Sequence, residues 1–134
     1  MPSINPSRAD LAEFARRMPS DTPILMLNLL RFNSQAEYPA DSSHVPCSGR
    51  EAYARYSRTA LAKVRGVGGE VQLLANAHMA LIAPAEEHWD QLVLVRYPST
   101  AAFVSMLADP EYQAATVHRS AALADSRLIG TTPA

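Results

Sequence analysis

The sequence predicts an α+β protein: a ferredoxin-like βαββαβ sandwich with an extra N-terminal helix, paired with a second copy of itself. Three observations carry this. Helix-capping signatures and strand-like apolar runs alternate in that order along the chain. Two of the runs, ILMLNLLRF at 24–32 and WDQLVLVRY at 89–97, are apolar on both alternating faces, as a strand covered on both sides must be. A ferredoxin-like sandwich covers only one sheet face with helices, so the other needs a cover, and the same face of a two-fold-related copy is the economical one.

The elements follow in order. Ser7 with Asp10 forms a capping pair, and Leu11, Phe14, Ala15 and Met18 recur at helical spacing before Pro19 closes the leading helix. Ile24 to Phe32 is the first central strand. Asn33 to Ser48 is a polar connection of 16 residues with Pro39 and Pro46, long enough to read either as a lid over a pocket or as a poorly ordered insertion. Ser48 with Glu51 at the capping-box position starts a helix carrying Tyr53, Tyr56, Ala60 and Val64 on one side, and Gly66, Gly68 and Gly69 stop it. Alternation predicts an edge strand from Glu70 to Ile82, followed by a turn over Pro84 to His88 and the second central strand from Trp89 to Tyr97. Ser99 caps a short helix through Leu107, Asp109 and Pro110 restart one to about Leu123, and Ser126 to Thr131 is the final strand.

Composition bounds the function. The chain has 134 residues, is 48% hydrophobic and carries a formal charge of -1, so it reads as one domain over 1–134, with a core that needs no disulfide or structural metal. Cys47 is the single cysteine. A near-neutral chain lacks the dense basic footprint of a nucleic-acid binder. No apolar run reaches the roughly 20 residues of a membrane span, and the N-terminus lacks the layout of a signal peptide, so no membrane partner and a cytoplasmic location are expected. His44, His78, His88 and His118 show no metal-ligand spacing, and the reading includes no metal and no cofactor.

The segments PILMLNLLRF, SGREAYARY, VGGEVQLL, WDQLVLVRYPSTAAF and DPEYQAATVHRSAALADSRLI together resemble the family called domain of unknown function 1330, within the dimeric α/β-barrel superfamily. The likeness covers roughly Pro23 to Ile129, and its specific elements are Pro-Ser, acidic-Pro-Glu-Tyr-Gln and Ser-Arg-Leu in that order. The resemblance implies a small-molecule site between the helices and the sheet of each subunit. Superfamily members include cofactor-free monooxygenases, isomerases and haem proteins, so it implies a pocket rather than a reaction. The leading helix and the long Asn33 to Ser48 connection depart from the shorter members.

Arg119 lies on the apolar stripe of its helix with Tyr112, Ala122 and Leu123, and it matches the arginine that the resembling proteins carry after Glu-Tyr-Gln. It is the first candidate to hold a substrate carboxylate or enolate, the alternative being an internal pair with Asp125, Asp109 or backbone carbonyls. His118, about 100° around the same helix, is a candidate proton carrier if it reaches the pocket edge, and otherwise packs or faces solvent. Asn28 interrupts the most apolar strand, where it contacts either a ligand oxygen or its counterpart across a dimer interface. These three are the catalytic candidates. Tyr53, Tyr56, Tyr112 and Trp89 read as core aromatics whose polar tips can line a cavity, and Arg31 and Arg96 at strand ends as solvated or pocket-mouth charges.

Three functions stay open. One is a cofactor-independent oxygenase or isomerase on an enolisable or aromatic substrate, another a non-catalytic ligand-binding or sensor protein, and the third a purely structural dimer. Haem is disfavoured, because His118 is the only histidine placed on a sheet-facing helix.

Overall fold

The computed structural model of the chain describes residues 2–134. The elements are α1 Arg8–Arg17, β1 Ile24–Phe32, α2 Gly49–Gly66, β2 Glu70–Asn76, β3 Gln91–Tyr97, α3 Thr100–Ala108, α4 Pro110–Ala122 and β4 Leu123–Thr131. The expected caps form. Ser7 with Asp10 and Ser48 with Glu51 close reciprocal capping boxes on α1 and α2, so orphan N–H groups at each helix start are satisfied. Asp109 ends α3 and caps α4 in front of Pro110. Lys63 of α2 reaches its carboxylate at 3.0 Å, tying the three helices together.

The sheet is antiparallel in the order β2-β3-β1-β4, which puts the two doubly apolar strands at its centre. Alternation along β1 sorts its side chains onto two faces. Ile24, Met26 and Leu30 are fully buried. Ile24 and Met26 pack with Val95 and Tyr97 of β3 against Tyr56, Ala60 and Val64 of α2, Phe103 and Met106 of α3, and Tyr112 of α4. Leu25, Leu27 and Leu29 point to the opposite face, register with Arg96, Leu94 and Leu92 of β3, and stay half-buried. No helix covers that side. Leu73 and Ile129 complete an apolar open face, 49% and 46% exposed.

Two expectations need correction. The edge strand ends at Asn76, not Ile82, because β3 gives it no further partner: Asn76 pairs with Gln91, and the last ladder bond runs from Ala77 N–H to the Asp90 carbonyl. Beyond it Met79, Leu81 and Ile82 are 79%, 83% and 94% exposed. A bulge between Val71 and Leu73 also breaks the simple alternation of β2.

The Asn33 to Ser48 connection is neither poorly ordered nor a lid. Backbone bonds tether it to the end of α4, Asn33 N–H to Ala122 and Glu37 N–H to Ala121, both at 2.8 Å, and Ala36 N–H closes back on Cys47 at 2.9 Å. Gly49 makes the tether fit, since a Cβ there would stand 2.1 Å from the Asn33 oxygen. Cys47, Ala36 and Tyr38 join Leu30, Ala52, Ala122 and Leu123 in a second apolar cluster.

Candidate functional site

A cavity of about 1210 Å³ lies between the helix-facing side of the sheet and helices α2, α3 and α4. Its apolar part is lined by Met26, Val95, Phe103, Met106, Leu107 and Phe14. The half-exposed Leu74 and Leu128 stand at its rim, so it reaches solvent. The cover over it is the N-terminal segment from Ser3 to Phe14 rather than the 33–48 connection.

Sequence reasoning missed that cover, since Ser3 to Pro6 has no periodicity to read. Hydrogen bonds hold it: Ser3 N–H donates to Asp125 at 2.8 Å, Ser126 Oγ donates to the Ser3 carbonyl at 2.5 Å, and Asn5 Nδ2 donates to Ser120 at 3.2 Å. Burial works to raise the Asp125 pKa, but the N–H groups of Ser3 and Ser126 and the Arg127 guanidinium hold it below the usual carboxylate value. Gly130 of β4 lets α1 approach, because a Cβ there would meet the Phe14 ring at 2.8 Å.

Arg119 is buried at 9% exposure and lines the cavity. Its partner is a backbone carbonyl, one of the expected alternatives, and neither Asp125 nor Asp109. Nη1 donates to the Ile4 carbonyl at 2.6 Å, while Asp125 pairs with Arg127 at 2.9 Å and Arg31 at 3.9 Å, and Asp109 with Lys63. A guanidinium has five N–H donors, so this bond leaves others available to a ligand.

Tyr53, Tyr56, Tyr112 and Asn28 share that cavity with Arg119. The Tyr56 and Tyr112 hydroxyls meet at 2.8 Å. Burial pushes the Tyr53 phenol up to about 12, against the pull of Arg119 and with a smaller push from Tyr112, so the group is a neutral donor at physiological pH. Burial also raises Tyr56 well above its ordinary value, reinforced by Tyr112 and Tyr53. Asn28 stands on the helix side of β1, which removes the reading as an amide pair across the open face. Its Nδ2 donates to the carbonyls of Val93 at 3.2 Å and Met26 at 3.5 Å.

The remaining candidates fall elsewhere. His118 is outside the cavity lining; its Nδ1 lies 2.7 Å from the Tyr38 hydroxyl, which accepts from Arg55 at 3.1 Å, and its ring stacks edge-on against His44. Arg96 is on the open face, opposite Leu25. Arg31 pairs with Asp125, and the Trp89 ring carries the Arg127 guanidinium at 5.0 Å. The cavity instead gains Arg50, Arg58 and Arg127 at its edge, against Asp10 as the carboxylate among its described lining residues. That lining suits an anion.

Among the described residues no group of histidine, cysteine and carboxylate side chains is arranged to hold a metal, and no helix is long and apolar enough to cross a membrane.

Residues 43–130 match the family described as Domain of unknown function (DUF1330). The crystal structure of the RPA0582 protein of unknown function from Rhodopseudomonas palustris is similar at 40% identity, over 100% of this chain and 98% of that one, with a TM-score of 0.91. A dimeric protein of unknown function with a ferredoxin-like fold from Bacteroides fragilis matches over 86% of this chain and 100% of its own, at 9% identity and a TM-score of 0.51. A protein from Bacteroides thetaiotaomicron, provisionally named an antibiotic biosynthesis monooxygenase, matches over 86% and 92% of the two chains at 18% identity and a TM-score of 0.51. These last two show the fold alone. No curated protein matches this chain.

Proposed function

The chain belongs to the family described as Domain of unknown function (DUF1330), and from that premise we propose that it is a small-molecule-binding protein that takes an organic anion with an apolar body into the cavity between helices and sheet. The observation that carries the reading is Arg119, a buried guanidinium that donates to a neutral carbonyl while it lines a cavity of about 1210 Å³. Burying a charge is costly without charge-assisted partners, and a ligand carboxylate supplies them. The volume speaks against a purely structural dimer with a filled interior, since ligand sites run from roughly 300 to 1,000 Å³.

Binding without turnover is favoured over a cofactor-independent oxygenase or isomerase acting on an enolisable or aromatic substrate. Such chemistry needs a base beside the bound anion. His118 stands outside the cavity, and the Asp10 carboxylate is engaged by the N–H of Ser7 in its capping box.

A homodimer is part of this proposal. The isolated chain exposes 8322 Å², against roughly 6,900 Å² for a compact monomer of its mass. The apolar open face and the exposed Met79 to Ile82 segment contribute to that excess, and both are surfaces that a second copy would cover.

The test is a thermal-shift comparison of decanoate with the neutral decanamide. Decanoate should raise the melting temperature of the wild type, by the equivalent of about 2.7 kcal/mol at 100 times its dissociation constant. Decanamide should not, and Arg119→Gln should lose the effect. Equal shifts with acid and amide, or an undiminished shift in Arg119→Gln, would overturn the reading.

A further inference from the structure

The hydrogen-bonding groups around the cavity are unequal in kind. Asn28 turns its amide nitrogen to the sheet, donating to the Val93 carbonyl at 3.2 Å with the Met26 carbonyl 3.5 Å away. Rotating the amide would set Oδ1 against those same carbonyl oxygens, so its orientation is fixed. That leaves Oδ1 as an acceptor on the cavity side, with no donor to it among the described residues. Around it stand groups that can donate to a carboxylate: the remaining N–H groups of Arg119, the Tyr53 hydroxyl, and the one hydrogen left over where Tyr56 and Tyr112 share a single bond. Asn28 therefore cannot serve as the oxyanion donor that its residue type invites.

From this inventory we infer that the cavity selects a hydroxy acid, an apolar molecule whose carboxylate is held by Arg119 and whose hydroxyl donates to Asn28 Oδ1. This rests on the proposed binding of an organic anion and names its class. A plain carboxylate engages the donors and offers Oδ1 no hydrogen. A hydroxy acid satisfies both. A site built around a ligand hydroxyl rejects analogues lacking it more sharply than an apolar pocket can reject an extra methylene. Asn28 is then the specificity-determining residue and Arg119 the anchor.

The experiment is calorimetric titration of the full chain with decanoate, α-hydroxydecanoate, β-hydroxydecanoate and the methyl ethers of the two hydroxy acids. One hydroxy acid should bind about five- to tenfold more tightly than decanoate, the yield of one added hydrogen bond. Its methyl ether, which has no hydrogen to donate, should bind more weakly than decanoate. Asn28→Leu should erase the preference for the hydroxyl while still binding decanoate, and should that variant fail to fold, the wild-type series decides alone. Equal affinity for decanoate and both hydroxy acids, with all of them lost in Arg119→Gln, would overturn the hydroxy-acid inference and leave the anion-binding reading standing. Absence of binding by every acid would overturn both.

Discussion

Arg119 donates from Nη1 to the carbonyl oxygen of Ile4 at 2.6 Å, across 115 residues of sequence. The residue assigned to hold the ligand therefore also holds the segment that covers it. Removing residues 2–5 deletes the bonds to Arg119, Asp125, Ser126 and Ser120, and at about 1 kcal/mol net each the chain should lose roughly 3 to 4 kcal/mol in urea denaturation. Ligand dissociation should quicken at least tenfold by stopped-flow fluorescence. An unchanged rate would show that the ligand leaves by another path.

Gly130→Val tests the same cover from the sheet side. The added side chain meets Phe14 and Met18, so α1 must shift. The expected cost is about 1 to 3 kcal/mol, with faster proteolysis inside α1 and no faster cleavage of the 33–48 connection. Cleavage quickened equally in both would mean global destabilisation instead.

The His118 cluster gives a pH dependence. Burial holds its pKa below the ordinary 6.5, and His44 from the connection with Arg55 and Arg58 from α2 add to the effect. Tyr38 accepts from Arg55, so its own hydrogen serves the neutral imidazole. Because the folded value is the lower one, the unfolded chain takes up the proton first. The stabilisation is complete above pH 6.5 and is lost as pH falls through the folded value. Proteolysis of the 33–48 connection should rise over that interval in the wild type and stay flat in His118→Gln.

Much of the fold was legible because its signals are local. Ser7 with Asp10, Ser48 with Glu51, and Asp109 before Pro110 each act within one turn of helix, and the two-sided apolarity of β1 and β3 reports their central positions. What escaped the sequence depends on distant partners. β2 stops at Asn76 because β3 stops there, although apolar alternation continues to Leu81. The 33–48 connection is pinned through backbone groups at Ala121 and Ala122, which leave no mark in side-chain pattern. Arg119 and His118 are neighbours on one helix, and rotation about its axis sends the first into the cavity and the second to the Tyr38 cluster. Asn28 is legible in the sequence as the polar break in β1, but the orientation of its amide follows only from where the Val93 carbonyl lies.

The open face and the Met79 to Ile82 segment bear on assembly. On the proposed pairing, Leu27→Lys, which places a charge at the centre of the open face, should leave the protein monomeric by gel filtration with light scattering. Replacing Met79, Leu81 and Ile82 with serine should weaken dimerisation at least tenfold without loss of secondary structure. A monomeric wild type at micromolar concentration would remove this account of the covered sheet.

The central claim is that Arg119 receives the anion inside the cavity, and its most direct test is the nitrogen-15 resonance of the Arg119 side-chain Nε as a carboxylate ligand is added. Decanoate should shift that resonance saturably, in step with the ring signals of Tyr53 and Tyr112, while the resonances of Arg31 and Arg96 stay in place. A saturable shift at Arg31 or Arg96, with Arg119 unmoved, would contradict the account.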